Sequence, residues 1–340
     1  MTIIDRRGKI FFFWEKARSG KGGYVFRGIL IFCSFLFGLA LALRRFIYSC
    51  GFKKKTRLKT RVISIGNITL GGTGKTPLVE WIASRLVEKN RKVVILSRGY
   101  GRGDEVTLLA KKLKGVSILI GKDRASLGKE VVNNLKAEFI LLDDGFQYWP
   151  LERHLEVVTL DSTSPIWKDR LLPAGTLRER LSNLKRAQVF VLTRVNNSDS
   201  DVTRWLEYLK NIKPQTSIFL TRHRPKEFIN RKGEKFPTAL VKDKDIIVFS
   251  GIARPAAFEE TLKALGGKLL HSFRYPDHHY YTAADLAEIK KITGEKVLII
   301  TTEKDLVRIE DGQLDDRLLA LAVEIEFLKD EDKFLEKVLA

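Results

Sequence analysis

The chain has 340 residues, with 61 Lys+Arg against 41 Asp+Glu, a formal net charge of +20. That length suits two ordinary domains, or one large domain with an appendage. With 44% hydrophobic and 30% charged residues it can bury a core, which excludes a disordered chain. Its two cysteines, Cys33 and Cys50, exclude a disulfide framework and a CxxC metal site, and five scattered histidines exclude a His-rich metal centre.

The charge is concentrated in a head. Residues 1–61 hold fifteen Lys+Arg and only two acids, Asp5 and Glu15. The same head carries the uncharged run Gly28–Leu43, flanked by Arg27, Arg44 and Arg45, with the cations Lys53–Lys55 beyond it. At sixteen residues the run is just short of a bilayer span, and no small-residue cleavage site follows it. Cations on both flanks fit a helix that crosses, or lies in, an anionic membrane surface. A nucleic-acid partner is not expected, because such a protein spreads its charge over a folded face.

After this head, short apolar runs alternate with helical stretches. Arg61–Gly66 reads as a buried strand, a Gly-rich turn follows, and a helix runs from Pro77 towards Glu88. Further strands are expected at Lys92–Leu96, Val116–Ile120, Phe139–Leu142, Val157–Leu160 and Val189–Leu192. The pattern turns irregular and polar from Asn196 to Lys242. It resumes with strands at Ile246–Phe249, Lys268–Phe273 and Val297–Thr301, and helices near Pro255–Leu265 and Ala283–Ile292. The expected class is α/β: a P-loop-containing doubly wound parallel sheet, an N-terminal membrane-associated helix and a smaller C-terminal α/β domain. The expected boundaries are 1–60 for the membrane-associated segment, 61–225 for the P-loop domain, 226–328 for the smaller domain and 329–340 for a closing helix.

Thr69-Leu70-Gly71-Gly72-Thr73-Gly74-Lys75-Thr76 follows a strand and opens a helix, the context a phosphate-binding loop requires. Its glycines let backbone N–H groups approach phosphates, and the helix N-terminus adds positive potential. Lys75 would reach the β/γ-phosphates of ATP, and the Thr76 hydroxyl would ligate Mg²⁺. Pro77 sits in the first helical turn, where its missing N–H does no harm. A Walker-type acid is supplied at the end of a buried strand by Asp143 or Asp144, between which spacing alone does not choose.

Six segments occur in order: Gly66–Pro77, Leu96–Gly101, Asp143–Gln147, Arg170–Glu179 (RLLPAGTLRE), Phe273–His278 and Thr302–Asp305. Together they resemble the tetraacyldisaccharide 4′-kinase family of lipid A synthesis, over nearly the whole chain. The resemblance implies transfer of the ATP γ-phosphoryl, with Mg²⁺, to the 4′-hydroxyl of a lipid A disaccharide 1-phosphate. It also implies residence on the cytoplasmic face of a Gram-negative inner membrane, in contact with its lipid; no obligate protein partner is inferred. For the proton acceptor it points to Asp123 working with His278, alongside Lys75. Asp123 follows a strand at the carboxyl edge of the sheet, where ligands bind in open α/β folds. Asp144 is the alternative base if Asp143 takes the metal, and the Pro-Asp-His register favours His278 over His279. Asn67, Arg98, Tyr100, Gln147, Arg170, Arg178 and Glu179 lie in or beside the family-like motifs and are the candidate substrate contacts. The family usually carries His where this chain has Tyr148.

The rival function is a membrane-associated P-loop ATPase or GTPase switch. Leu70 stands where a deviant-Walker switch carries Lys, and Leu192–Asn196 lacks the Asp of a guanine signature.

Overall fold

The computed structural model describes residues 2–5, 23–99, 103–195, 200–293, 297–309 and 317–340. Phe11–Trp14, an apolar part of the head, lies outside the described residues. The chain divides into two compact units.

The P-loop unit takes the described parts of 16–100, 109–223 and 325–340. Its strands run in the order Ser217–Ile229 (first half), Val189–Thr193, Leu155–Asp161, Arg61–Gly66, Phe139–Asp143, Val93–Ser97 and Ser117–Ile120. Each of these neighbouring pairs is parallel. Strand side chains alternate between two cores. Ile63, Ile65, Val93, Ile95, Phe139 and Leu141 meet the helix Lys75–Glu88 on one face. Val62, Val94, Leu96, Ile140 and Leu142 pack on the other with Ala125 and Val131. Both faces are covered, so these strands read as continuous apolar runs. The parallel α/β class expected from the sequence is the class observed.

The terminal helix Glu331–Leu339 belongs to this unit by packing. It buries Phe334 and Val338 in the first core, where Phe334 meets Trp81, Phe219 and Phe327.

The apolar run forms the helix Tyr24–Ser49, 26 residues and so about 39 Å long. It is long and apolar enough to cross a membrane. Its buried residues are Leu30, Ser34 and Gly38, one narrow stripe at i, i+4, i+8. The Ser34 hydroxyl donates to the Leu171 carbonyl (2.8 Å) and accepts from the Ala174 N–H (2.9 Å). A Cβ on Gly38 would lie 3.1 Å from Leu171. Lower on the helix, Arg45 donates to Asn183 and Tyr48 stacks on Trp149. Ile29, Phe32, Phe35, Leu36, Leu39, Leu43 and Phe46 remain exposed.

The second unit takes 2–5, 103–108 and the described part of 224–324. Its parallel sheet runs Thr2–Asp5, Lys268–Arg274, Asp245–Ser250, Leu298–Thr302 and Leu318–Phe327. Two segments sit here against the expected sequence order. Thr2–Asp5, read as part of the membrane head, is an edge strand on Lys268–Arg274. Residues 103–108, inside the expected P-loop domain, open the helix Asp104–Lys112.

The stretch read as irregular, Asn196 to Lys242, contains the helix Ser200–Ile212 and the thirteen-residue strand Ser217–Ile229. The strand hides in sequence because its polar residues are paired: within the P-loop unit Arg222 makes two bonds to Glu326 (2.9 and 3.0 Å).

Phe334→Ala should lower the unfolding free energy by about 3–5 kcal/mol. The reading is a urea midpoint moved to lower concentration. A midpoint equal to that of the parent would show that the terminal helix is not part of this core.

Candidate active site

The strand Arg61–Gly66 ends where the chain must turn sharply. A Cβ on Gly66 would lie 2.6 Å from Phe146, so only glycine fits there. Residues 67–74 then form the loop, and the helix starts at Lys75, two residues before the expected Pro77. Gly74 caps it in the left-handed conformation (φ 81°), with Thr193 and His223 within 3.1 and 3.2 Å of where a Cβ would stand. Thr73 is pinned from two sides: its hydroxyl pairs with Thr159 (2.7 Å), and its carbonyl accepts from Thr193 (3.0 Å). Leu70 is half exposed at the tip.

One wall of the loop is the RLLPAGTLRE segment. The Leu70 N–H donates to the Thr176 carbonyl (2.8 Å), and the Arg178 N–H donates to the Ile68 carbonyl (2.7 Å). The Arg178 guanidinium grips Asp144 with both nitrogens (2.7 and 2.8 Å) and also bonds Asn67 (3.0 Å). Lys75 Nζ stands 3.6 Å from the same carboxylate. Burial alone would push the Asp144 carboxyl up, but Arg178, Lys75 and Arg124 outweigh it and hold its pKa down to about 2. Asp143 is buried, accepts from the Ser97 hydroxyl (3.2 Å), and has its backbone carbonyl tied to Arg124 (2.7 Å). Gln147 closes the group by donating to the Asn67 carbonyl (2.8 Å).

Asn67, Lys75, Thr76, Asp143, Asp144, Gln147 and Arg178 are thus gathered at one end of the sheet in the P-loop unit. Arg98 and Arg170 are exposed. Arg170 lines, with Arg180, Ile31, Phe35, Leu171 and Ala174, a groove of about 280 Å³ beside the apolar helix. Glu179 is sealed among Asn183 (2.7 Å) and Arg186 (2.8 Å), and burial pushes its carboxyl pKa up. It supports the wall from behind. Tyr100 lies outside the described residues.

Asp123 sits at the carboxyl edge of the sheet as expected, but its side chain is a helix cap. It accepts from the Ala125 and Ser126 N–H groups and the Tyr148 hydroxyl (each 3.2 Å) and from the Ser126 hydroxyl (2.6 Å). Those bonds, Ser126 first, lower its pKa, which makes it a weak base. Tyr148 steadies this cap and also accepts from the Ala125 N–H (2.9 Å).

His278 belongs to the second unit, and the carboxylate it holds is Asp104 (Nδ1 to Oδ2, 3.0 Å). Sequence reading missed Asp104, which lies far from Pro276–His278 in the chain and resembles an ordinary helix-start acid. The one available signal is the Gly103-Asp104-Glu105 start of a helix shortly after Ser97–Gly101. Asp104 is buried, which raises its pKa, but bonds from His278 and Arg308 outweigh that and hold it well below the carboxylate range. The Asp104 bond is the largest of the influences that raise the His278 pKa. An ionised Asp104 requires the proton on Nδ1, which leaves Nε2 of neutral His278 as an acceptor on a half-exposed ring. His279 serves packing: it stacks on Tyr275 (4.6 Å) and bonds Asp285 (3.1 Å).

Comparisons with known proteins agree on one family. The model of the tetraacyldisaccharide-1-P 4′-kinase family matches residues 26–340. A tetraacyldisaccharide 4′-kinase of Anaeromyxobacter sp. (strain Fw109-5) is 32% identical over 99% of this chain and 96% of its own. One from Elusimicrobium minutum is 35% identical over 95% of this chain and 94% of its own. Among solved structures, LpxK from Aquifex aeolicus in complex with ATP superposes with a TM-score of 0.73 at 30% identity, covering 92% of this chain and 98% of that one.

Lys75→Met should weaken ATP binding about tenfold or more by calorimetry, because the only lysine of the phosphate loop is lost. Affinity equal to the parent would remove Lys75 from the nucleotide site.

Proposed function

The chain belongs to the tetraacyldisaccharide-1-P 4′-kinase family, and from that premise we propose that it transfers the γ-phosphoryl of ATP to the 4′-hydroxyl of tetraacyldisaccharide 1-phosphate. The observation that carries the reading is the phosphate loop at Thr69–Thr76 with Lys75, Arg178 and the Asp143–Asp144 pair gathered around it. Backbone N–H groups of the loop and Lys75 take the triphosphate. The donor set fits Mg²⁺, which binds through one or two protein oxygens plus substrate phosphates. Thr76 and Asp143 would hold it, since Asp144 is committed to Arg178. The ion would neutralise charge on the transferring phosphoryl group.

Proton removal falls to His278. As the 4′-oxygen attacks the γ-phosphorus and the bond to ADP breaks, Nε2 takes the hydroxyl proton and Asp104 stabilises the resulting imidazolium. Asp123, engaged as a cap, is not needed for this step. The exposed apolar helix Tyr24–Ser49 lies along the membrane interface or crosses it, and acyl chains extend beside it. Arg170 and Arg180 in the adjoining groove suit the anionic 1-phosphate.

Incubating the full chain with ATP, Mg²⁺ and tetraacyldisaccharide 1-phosphate in vesicles should yield a product one phosphoryl group heavier by mass spectrometry. Hydrolysis of ATP without lipid phosphorylation would favour the switch reading.

His278→Ala should lower kcat by about 10²–10⁴-fold with little change in the KM for ATP. The base must be unprotonated, so kcat/KM rises with pH through the raised His278 pKa. Asp104→Asn removes the main cause of that raised value. Its acid limb should move to lower pH while the plateau falls. A limb that stays in place would separate Asp104 from the titrating group.

A further inference from the structure

Behind the His278–Asp104 pair lies a buried polar cluster that the proton transfer itself does not use. Its centre is Arg308, whose side chain has no exposed surface. Nε donates to Asp104 Oδ2 (2.7 Å), and Nη2 bonds the same oxygen. Nη1 donates to Asp305 Oδ1 (2.9 Å) and to the Gly251 carbonyl (2.8 Å). Nη2 also lies 3.3 Å from His278 Nδ1. With the proton on Nδ1 that last approach is one of two N–H donors facing each other, not a hydrogen bond.

Asp305 is fully buried and anchors the arginine in turn. The Tyr281 hydroxyl (2.9 Å) and the Gly251 N–H (3.1 Å) donate to its Oδ1, and the Thr302 hydroxyl donates to its Oδ2 (2.6 Å). Every one of these partners gives a hydrogen, the pattern an ionised carboxylate demands. Burying an arginine between two carboxylates is costly unless its geometry is held, and here three acceptors hold it. Among the described residues nothing bonds the second oxygen of Asp104, so the orientation of that carboxylate rests on Arg308 and His278 alone.

We propose that Arg308 is the positioning residue of the His278–Asp104 pair, its planar fork fixing Asp104 between the imidazole and the buried anchor Asp305. This rests on His278 being the proton acceptor. Two effects of one side chain then separate. The fork sets where Asp104 stands and therefore which way Nε2 faces. The charge opposes protonation of His278, against Asp104 and Asp277, which favour it. The other charged groups nearby are matched among themselves, as His279 with Asp285 and Lys304 with Glu105.

The test uses the full chain and two variants, Arg308→Met and Arg308→Lys. For each, kcat/KM against pH, the KM for ATP, and the His278 ring titration by NMR are recorded. Arg308→Met removes the opposing cation, so the His278 midpoint and the acid limb should both move to higher pH. Arg308→Lys keeps the charge but cannot bond both carboxylates. Its midpoint should stay close to that of the parent while kcat falls about ten- to a hundredfold, with the KM for ATP unchanged. Full turnover in Arg308→Lys would overturn the proposal. So would an unmoved His278 midpoint in Arg308→Met with a rate lowered equally at every pH. Should Arg308→Met fail to fold, the lysine variant alone decides. If the parent phosphorylates no lipid, the kinase reading fails, and the NMR titrations still report whether Arg308 opposes His278.

Discussion

A carboxylate stripped of water has to be surrounded by donors, and Asp144 imposes that demand on the P-loop unit. Arg178 satisfies it with a two-pronged bond and reaches Asn67 with the same nitrogen, while Lys75 and Arg124 add positive charge. Because Arg178 is fixed, the segment that carries it is fixed too. That segment lines the phosphate loop through its backbone and receives the apolar helix through Leu171 and Ala174. One ionic requirement therefore links phosphate loop, wall and apolar helix within a single unit.

The helix Tyr24–Ser49 shows how an apolar element can be held without being buried. Leu30, Ser34 and Gly38 make a stripe narrow enough to admit the Arg170–Glu179 segment, and a single serine supplies two hydrogen bonds there. The rest of the helix surface stays greasy and outward. An outward apolar face of this length is long and apolar enough to cross a membrane.

Much of this was legible in the sequence. Buried parallel strands announce themselves as unbroken apolar runs, and Thr69–Thr76 carries its own context of strand, loop and helix. Three features were hidden for separate reasons. Ser217–Ile229 has polar residues that find ionic partners only after folding. Thr2–Asp5 is a short edge strand beside a basic, apolar stretch that dominates any reading of the head. Asp104 is an unremarkable helix-opening acid until His278 and Arg308 are brought to it, a long-range pairing that no local pattern encodes. The capping bonds of Asp123 to Ser126 and Tyr148 likewise appear only in three dimensions.

A phosphate loop that serves a lipid sugar must deliver its phosphoryl group to one hydroxyl. The most direct measurement is a ¹H–³¹P correlation spectrum of the purified reaction product. The account predicts that the new phosphorus couples to the proton on carbon 4′ of the distal glucosamine. Coupling to any other position, or a product spectrum with the 1-phosphate signal alone, would contradict it.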